Sequence, residues 1–126
     1  MSNTRYTYSA GEPPYPVVIL EVANPTTDVK IELPALVDTG ADVSVLPTAK
    51  CTFLNLVRSD LITVVGYDGT ESQRALHIAS VGIRGGEASK ETVEVLLLDL
   101  PNAIVGRDIL NRHRIVLDGP KLVLEL

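Results

Sequence analysis

The chain has 126 residues, of which 45% are hydrophobic, 21% charged and 4% aromatic. That length suits one domain with its own core, since a domain of this size buries about two-thirds of its unfolded surface. A formal net charge of −5 disfavours non-specific nucleic-acid binding, which depends on neutralising phosphates. No apolar run reaches the ~20 residues of a membrane-spanning helix, and the polar start lacks a signal-peptide pattern. We therefore expect neither a nucleic-acid nor a membrane partner.

The cysteine and histidine content limits the possible chemistry. The single cysteine, Cys51, has no partner for an internal disulfide, which favours a reducing, cytoplasmic location. It also lacks a His or Asn motif typical of thiol nucleophiles, so we interpret it as a small buried hydrophobe. His77 and His113 have no Cys, His or acidic residue at ligand spacing. We predict no metal site and no cofactor.

The residue choice favours β structure, since 16 valines and 8 isoleucines have stiff side chains that suit a pleated surface. Residues 1–14 are interpreted as a flexible or edge-wrapping arm, and residues 15–126 as one domain. Strands are predicted over 15–23 and 29–37, joined by a turn as a hairpin.

The middle of the chain predicts a second hairpin. A short apolar strand around residues 43–46 precedes a loop, with a helical turn, over residues 48–60. Strands over 61–67 and 70–84 flank Asp68-Gly69, a strong tight-turn dipeptide. The nearly continuous apolar run 92–98 is typical of a buried strand.

The C-terminal region predicts one helix and a closing hairpin. Residues 107–113 place apolar side chains on one face, and Asp108 suits the positive end of the helix dipole. Segments 114–117 and 122–126 flank the turn Asp118-Gly119-Pro120. The chain is therefore predicted to be all-β with one short C-terminal helix.

The candidate catalytic segment is residues 35–47, where an apolar strand ends at Asp38 and a tight loop of small residues follows. Burying an ionised carboxylate costs several kcal/mol unless it is paired or hydrogen-bonded. Asp38 is therefore either a satisfied structural group or a catalytic one. Gly40 permits close approach of another segment, and the Thr39 hydroxyl both donates and accepts hydrogen bonds.

Three motifs in order resemble the retropepsin-like aspartic proteases. Asp-Thr-Gly alone is a weak signal, but Val37-Asp38-Thr39-Gly40-Ala41 is similar to the family's whole catalytic loop. Ile104-Val105-Gly106-Arg107-Asp108-Ile109-Leu110 matches its later Gly-Arg-Asp helix, and Gly66-Tyr67-Asp68-Gly69 lies where the family has a mobile flap. The long closing hairpin resembles cellular and bacterial members more than viral ones. The resemblance implies half of an acid-protease β-barrel.

Aspartic-protease chemistry requires two facing carboxylates that share one proton. The ionised member activates a water molecule, and the protonated member donates to the scissile carbonyl. This chain has one Asp-Thr-Gly, since Asp68 and Asp118 lie in turns with a different residue order. The resemblance therefore implies a homodimeric aspartic endopeptidase in which Asp38 of each subunit meets at a two-fold axis.

The resemblance also implies roles for neighbouring residues. Thr39 hydrogen-bonds across the axis beneath the two acids, and the Gly40 carbonyl holds the backbone of an extended polypeptide substrate. Gly66 and Tyr67 close over that substrate, which binds as an added strand. Residues that line apolar substrate pockets in the family match Ala41, Val64, Val65 and Ile104. For the last three, ordinary core packing is the alternative.

Two polar positions complete the predicted site. Asp42 matches the second acid of the family loop, on the substrate-binding side, and Arg107 the basic residue that supports it. The two are predicted to form a charge-assisted bridge, with a solvated surface pair as the alternative. Val43-Ser44 departs from the usual family residues, although Ser44 retains a hydroxyl for supporting hydrogen bonds.

Two other functional interpretations are compatible with these motifs. A retropepsin-like domain that has lost catalysis would serve as a dimerisation or peptide-binding module, since fold alone does not fix function. The long N-terminal arm and the glycine-poor flap motivate that alternative. An unrelated small β-barrel with a chance Asp-Thr-Gly would require the later motifs to be accidental as well.

Overall fold

The computed structural model describes residues 4–126, and within them the chain is mostly β-strand. Two short α-helices and one 3₁₀ turn (Thr52–Leu54) interrupt the strands. In chain order the elements are β1 (Arg5–Thr7), β2 (Val17–Ala23), β3 (Lys30–Val37), β4 (Val45–Pro47), α1 (Thr48–Cys51), β5 (Val57–Val65), β6 (Glu71–Ile83), β7 (Glu91–Leu98), β8 (Ala103–Val105), α2 (Arg107–Leu110), β9 (Val116–Asp118) and β10 (Val123–Glu125).

The main sheet closes on itself as a barrel. Its strand order is β2-β3-β8-β4-β7-β6-β5, and β2 also pairs with β6. Six strands therefore form a ring, and β5 continues from β6 outside it. The β3–β8 and β4–β7 pairs are parallel, which brings segments distant in sequence side by side. The all-β prediction with a short C-terminal helix is confirmed.

Both ends of the described chain meet in a second, three-stranded sheet of order β1-β10-β9. β1 pairs antiparallel with β10, so that Tyr6 lies opposite Leu124. For residues 5–7 this pairing agrees with the edge-wrapping alternative rather than the flexible one, because their backbone groups are paired with the last strand. Residues 1–3 of that predicted arm lie outside the described residues.

Two predicted element boundaries differ from the structure by more than two residues. β5 begins at Val57 rather than Leu61, because a bulge between Arg58 and Asp60 interrupts the alternation from which a strand is recognised. The C-terminal helix ends at Leu110 rather than His113. There the His113 N–H donates to the Leu110 carbonyl at 3.0 Å, an i→i+3 bond that closes a tighter turn.

The main hydrophobic core fills the barrel. Its fully buried side chains include Leu20, Leu46, Ile109 and Leu124, so the barrel, α2 and the three-stranded sheet share one core. Cys51 is 1% exposed, as interpreted, and burial raises the pKa of its thiol. Among the described residues, no helix has the length and apolar character needed to cross a membrane.

His113 is expected to make stability depend on pH. It packs against Gly86, and burial, followed by the nearby Arg112 charge, lowers its pKa from the usual 6.5. The unfolded chain then takes up a proton more readily than the folded one as pH falls below about 6.5. We expect the free energy of unfolding to decrease as acid is added through this range, and to decrease less in His113→Gln. Denaturant titrations at pH 7.5 and 5.5 test this, and equal decreases in both proteins would contradict it.

Candidate active site

Asp38 follows directly from β3, which is fixed on both sides. Val37 pairs with Val105 of β8, and the Asp38 N–H donates to the Val105 carbonyl at 3.0 Å. Val37 and Val105 belong to the barrel core. Because side chains alternate along a strand, Leu36 and Asp38 project from the other face. The barrel thus holds the backbone at Asp38 while leaving the carboxylate half-buried outside the core.

The turn after Asp38 is stabilised by the carboxylate itself. Asp38 Oδ1 accepts a hydrogen bond from the Gly40 N–H at 2.9 Å, and the Asp38 carbonyl accepts one from the Ala41 N–H at 3.2 Å. A Cβ at Gly40 would lie 3.2 Å from Oδ1, so glycine keeps the carboxylate uncrowded. One carboxylate oxygen of Asp38 is therefore held by a hydrogen bond. The other carboxylate oxygen accepts no hydrogen bond from residues 4–126.

A buried set of hydrogen bonds, here called the Ser44–Asp108 clamp, holds the end of this loop against α2. Ser44 is fully buried, and its hydroxyl donates to Asp108 Oδ1 at 2.7 Å. The Ser44 hydroxyl oxygen in turn accepts a hydrogen bond from the Gly106 N–H at 2.9 Å. The Ser44 N–H donates to Asp108 Oδ2 at 3.0 Å. One carboxylate thus satisfies both donors of Ser44 and joins segments far apart in sequence.

The clamp is the main feature of the site that the sequence does not predict. The sequence indicates supporting hydrogen bonds from Ser44 and places Asp108 in the Gly-Arg-Asp motif and at the helix dipole, but it does not pair the two residues. The signal that points to Asp108 is its place directly after Gly106-Arg107 in the second motif.

Arg107 supports the loop in a different way from the one predicted. Its Nη1 donates to the Thr39 carbonyl at 2.8 Å, and its backbone N–H donates to the Ala41 carbonyl at 2.8 Å. No ion pair joins Arg107 to Asp42 in the part of the chain that the structure describes. The predicted bridge is therefore wrong, because the guanidinium points to the loop backbone while Asp42 is exposed.

Gly106 permits the close approach of the two segments. A Cβ there would lie 2.7 Å from the Ala41 carbonyl oxygen, closer than real contacts allow, and that oxygen is backbone. We expect Gly106→Ala to displace the loop and to destabilise the fold by about 1–3 kcal/mol, as overpacking does. Chemical denaturation measures this. Gly119→Ala is the control, since nothing lies within 4 Å of its Cβ position, and equal stability of both variants would contradict the prediction.

Of the predicted pocket residues, the structure brings Ile104 and Val64 together in a second apolar cluster. Ile104 pairs with Val45, which also pairs with Leu96. Ile104 pairs as well with Leu36 of β3, so the cluster lies on the face from which Leu36 and Asp38 project. Val65 is 62% exposed and lies outside the cluster. The cluster consists of Val43, Val45, Ile62, Val64, Leu76, Leu96, Leu98, Leu100 and Ile104.

The predicted flap is an extended hairpin of β5 and β6. At its tip the Gly66 N–H donates to the Thr70 carbonyl at 2.9 Å, and Gly69 has φ +80°, which favours glycine. Hydrogen bonds from Thr70 lower the pKa of Asp68. The Tyr67 side chain is fully exposed. The tip residues therefore contact little of their own chain.

An apolar groove of about 630 Å³ includes Leu36, two residues before Asp38. Ile104 and Leu36 contribute to it from neighbouring strands. No charged side chain occurs among the described residues that line it, and no cluster of three or more metal-binding side chains occurs within residues 4–126. The groove is lined by Ser9, Pro13, Pro14, Tyr15, Val17, Pro34, Ala35, Leu36, Leu100, Pro101, Asn102, Ala103 and Ile104.

Three solved structures share the fold. The retropepsin-like aspartic protease from Rickettsia conorii is 24% identical with a TM-score of 0.60, and 98% of each chain is covered. EIAV protease, solved with the inhibitor HBY-793, is 26% identical with a TM-score of 0.59, covering 86% of this chain and 98% of its own. Simian foamy virus (mac) protease is 17% identical with a TM-score of 0.55, covering 76% and 92%. The first and last of these support the fold alone.

The sequence comparisons assign the family. A comparison with curated proteins finds no match. The family model described as gag-polyprotein putative aspartyl protease matches residues 28–112, a range that includes the Asp38 loop, the β5–β6 hairpin and α2. The chain therefore belongs to this family of retropepsin-like aspartic proteases.

Proposed function

We propose that the protein is a homodimeric aspartic endopeptidase whose two catalytic carboxylates are Asp38 of each subunit. The observation that carries the proposal is the position of Asp38, which the barrel holds outside its core on a loop with the family's sequence. The Ser44–Asp108 clamp and the hydrogen bonds of Arg107 hold that loop against α2. Such support suits a catalytic group, which must hold its geometry through the reaction.

In the proposed reaction, the two Asp38 carboxylates share one proton, because like charges so close together do not both ionise. The ionised carboxylate takes a proton from water, which attacks the scissile carbonyl carbon. The protonated carboxylate donates to the carbonyl oxygen. The C–N bond of the resulting intermediate then breaks as the carboxyl group that took the proton from water gives it to the leaving amine nitrogen. The other carboxylate takes a proton back from a hydroxyl of the intermediate, which restores the shared proton. Thr39 lies next to this pair and would link the subunits beneath it. The Arg107 bond to the Thr39 carbonyl is consistent with a loop held rigid at that point.

The substrate is proposed to be a polypeptide in extended conformation, held as an added strand beneath the β5–β6 hairpin. Gly66 and Tyr67 at the exposed tip would cover it, and the Gly40 carbonyl would accept from its backbone. Ala41 and Asp42 are the next residues of the loop and would lie beside the substrate backbone. The second apolar cluster, which contains Val64 and Ile104, favours uncharged side chains near the cleaved bond. Val65, with its exposed side chain, would contact substrate only if the hairpin closes.

A concentration series tests the proposal. Peptide cleavage is measured with a quenched peptide library between acid and neutral pH, alongside the dimer fraction from sedimentation. Since one chain supplies one acid, activity per chain should rise with concentration and follow the dimer fraction. A verified dimer without turnover would contradict the proposal. It would favour the second candidate, a catalytically silent peptide-binding or dimerisation module.

The silent module has one structural observation in its favour. The hairpin tip carries Asp68 and the fully exposed Tyr67 in place of a glycine-rich sequence. Catalysis therefore requires, in addition to the catalytic loop, that this tip can close over a peptide. Peptide binding without cleavage would identify the module. The cytoplasmic location expected from the single cysteine stays a prediction.

A further inference from the structure

A buried amide joins two surface segments at one end of the barrel. Asn24, in the β2–β3 turn, donates from Nδ2 to the Leu54 carbonyl at 2.9 Å and to the Asn55 carbonyl at 3.2 Å. The Asn24 N–H donates to the Val29 carbonyl at 2.9 Å. Because Asn24 is itself buried, these bonds are shielded from water. The β2–β3 turn and the segment before β5 therefore form one continuous surface.

Residues 24–30 and 48–58, here called the barrel-end patch, expose three large apolar side chains on this surface. Phe53 is 51% exposed, Val57 60% and Val29 40%. Phe53 is the only phenylalanine of the chain, and it belongs to neither hydrophobic cluster of the described residues. Single exposed apolar residues are ordinary on protein surfaces, whereas a group of them is typical of an interaction site. An exposed aromatic ring is a common anchor of such sites.

The barrel-end patch is basic, although the chain as a whole has a net charge of −5. Each of its three exposed apolar side chains has a basic residue within three positions in sequence, and these residues are Lys30, Lys50 and Arg58. All three are exposed, and none forms an ion pair with another residue of the range 4–126. Asp28 is the one acidic residue of the patch. The patch therefore combines apolar surface with unpaired positive charge.

The barrel-end patch lies far from the candidate active site. Lys30, at the start of β3, pairs with Ala23 at the end of β2. Asp38 follows the other end of β3, after Val37. At a rise of ~3.3 Å per residue, the strand separates Lys30 from Val37 by about 23 Å. A molecule bound to the patch would therefore leave the Asp38 loop open.

Two observations favour a polypeptide over a lipid surface as the partner. Among the described strands, β5 has a neighbour only on its β6 side, so its other edge leaves backbone groups open from Val57 onward. A polypeptide offers hydrogen-bonding groups for such an edge, and lipid tails do not. The net charge of −5 also repels the chain as a whole from an anionic membrane.

We propose that the barrel-end patch is a docking surface for a segment of a partner protein in which large apolar side chains alternate with acidic ones. Phe53 and Val57 contact the apolar side chains, and Lys50 and Arg58 attract the carboxylates. This interaction goes beyond the proposed function and does not depend on whether Asp38 is catalytic. It would anchor a partner protein without occupying the active site.

The probe for this surface is a labelled peptide in which leucine and phenylalanine alternate with glutamate. Nitrogen-15 NMR spectra of the native protein show which residues the peptide contacts. We expect the largest shifts at residues 26–30 and 50–58, and weaker binding at about 0.5 M salt, since salt screens exposed charges. A peptide with lysine in place of every glutamate should not bind. Shifts confined to the Asp38 loop and the β5–β6 hairpin tip, or no shifts at all, would overturn the proposal.

A double variant, Phe53→Ser with Lys50→Glu, tests the same assignment by affinity. Fluorescence anisotropy should show peptide binding weakened by at least about tenfold. The matched control is Leu122→Ser with Lys121→Glu, because it changes an exposed apolar residue and an exposed lysine of the C-terminal hairpin in the same way. The control should bind like the native protein, and thermal melting verifies that both variants fold. Equal affinity of the two double variants would overturn the proposal.

Two further measurements distinguish other occupants of the patch. If native protein binds vesicles of neutral and anionic phospholipid and no acidic peptide, the patch is a membrane contact. If the Phe53→Ser and Lys50→Glu variant has a lower dimer fraction in sedimentation than the control, the patch is a contact between copies of the chain. Either result would overturn the proposal. An unchanged dimer fraction together with peptide binding would support it.

Discussion

The Asp38→Asn variant is expected to fold and to dimerise but to lose peptide cleavage by at least about 10³-fold. An amide neither shares the proton of the partner acid nor takes a proton from water. Its side-chain oxygen still accepts the Gly40 N–H, the one hydrogen bond of the Asp38 side chain among residues 4–126. The substitution thus removes the chemistry and preserves the local structure. Initial rates on the quenched library and the melting temperature measure the two effects.

Asp28→Asn is the matched control. Asp28 is exposed in the β2–β3 turn with φ +61°, a conformation that asparagine adopts readily, and it lies outside the proposed machinery. We expect native activity and stability. Cleavage retained by Asp38→Asn at a rate near that of Asp28→Asn would show that Asp38 is not a catalytic residue.

Asp108→Ala is expected to destabilise the protein by about 3 kcal/mol, since hydrogen bonds to a charged group contribute about 1.5–3 kcal/mol and its removal leaves buried donors unpaired. These donors are the N–H and the hydroxyl of Ser44. Because the clamp holds the Asp38 loop, cleavage should fall as well. Denaturant unfolding measures the stability change. Asp99→Ala, at an exposed residue, should change it by less than about 0.5 kcal/mol.

A double-mutant cycle distinguishes the loss of the clamp's hydrogen bonds from an unrelated loss of stability at Asp108. Ser44→Ala removes the hydroxyl that links Asp108 to the Gly106 N–H. In the double variant, the loss should be smaller than the sum of the two single losses by about 1 kcal/mol or more, because both substitutions break the same network. Strictly additive losses would contradict the clamp as a single unit.

Local signals predicted the hairpins well, and non-local contacts account for the differences. Asp68-Gly69 and Asp118-Gly119 marked two turns because positive φ or tight-turn chemistry is visible in neighbouring residues. The pairing of β1 with β10 joins opposite ends of the described chain, and no local pattern encodes it. The start of β5 was missed because its bulge breaks the period of two on which strand recognition depends.

The same distinction applies to the site. The residue order around Asp38 identified the acid because its loop is contiguous in sequence. The partner of Arg107 could not be assigned in this way, since a long guanidinium side chain reaches several acceptors and the backbone path decides which one. The groove has no contiguous signal in the sequence, because residues from the segment 9–17, β3 and the segment before β8 form it only after the barrel closes.

Mixing native protein with Asp38→Asn tests the central claim most directly. The chains are equilibrated in equal amounts at a total concentration where sedimentation shows dimers. If each active site requires Asp38 from both subunits, random pairing leaves about one quarter of the dimers active. We expect cleavage near one quarter of that of the native protein at the same total concentration. Cleavage near one half, in proportion to native chains, would show that each subunit acts alone and would contradict the account.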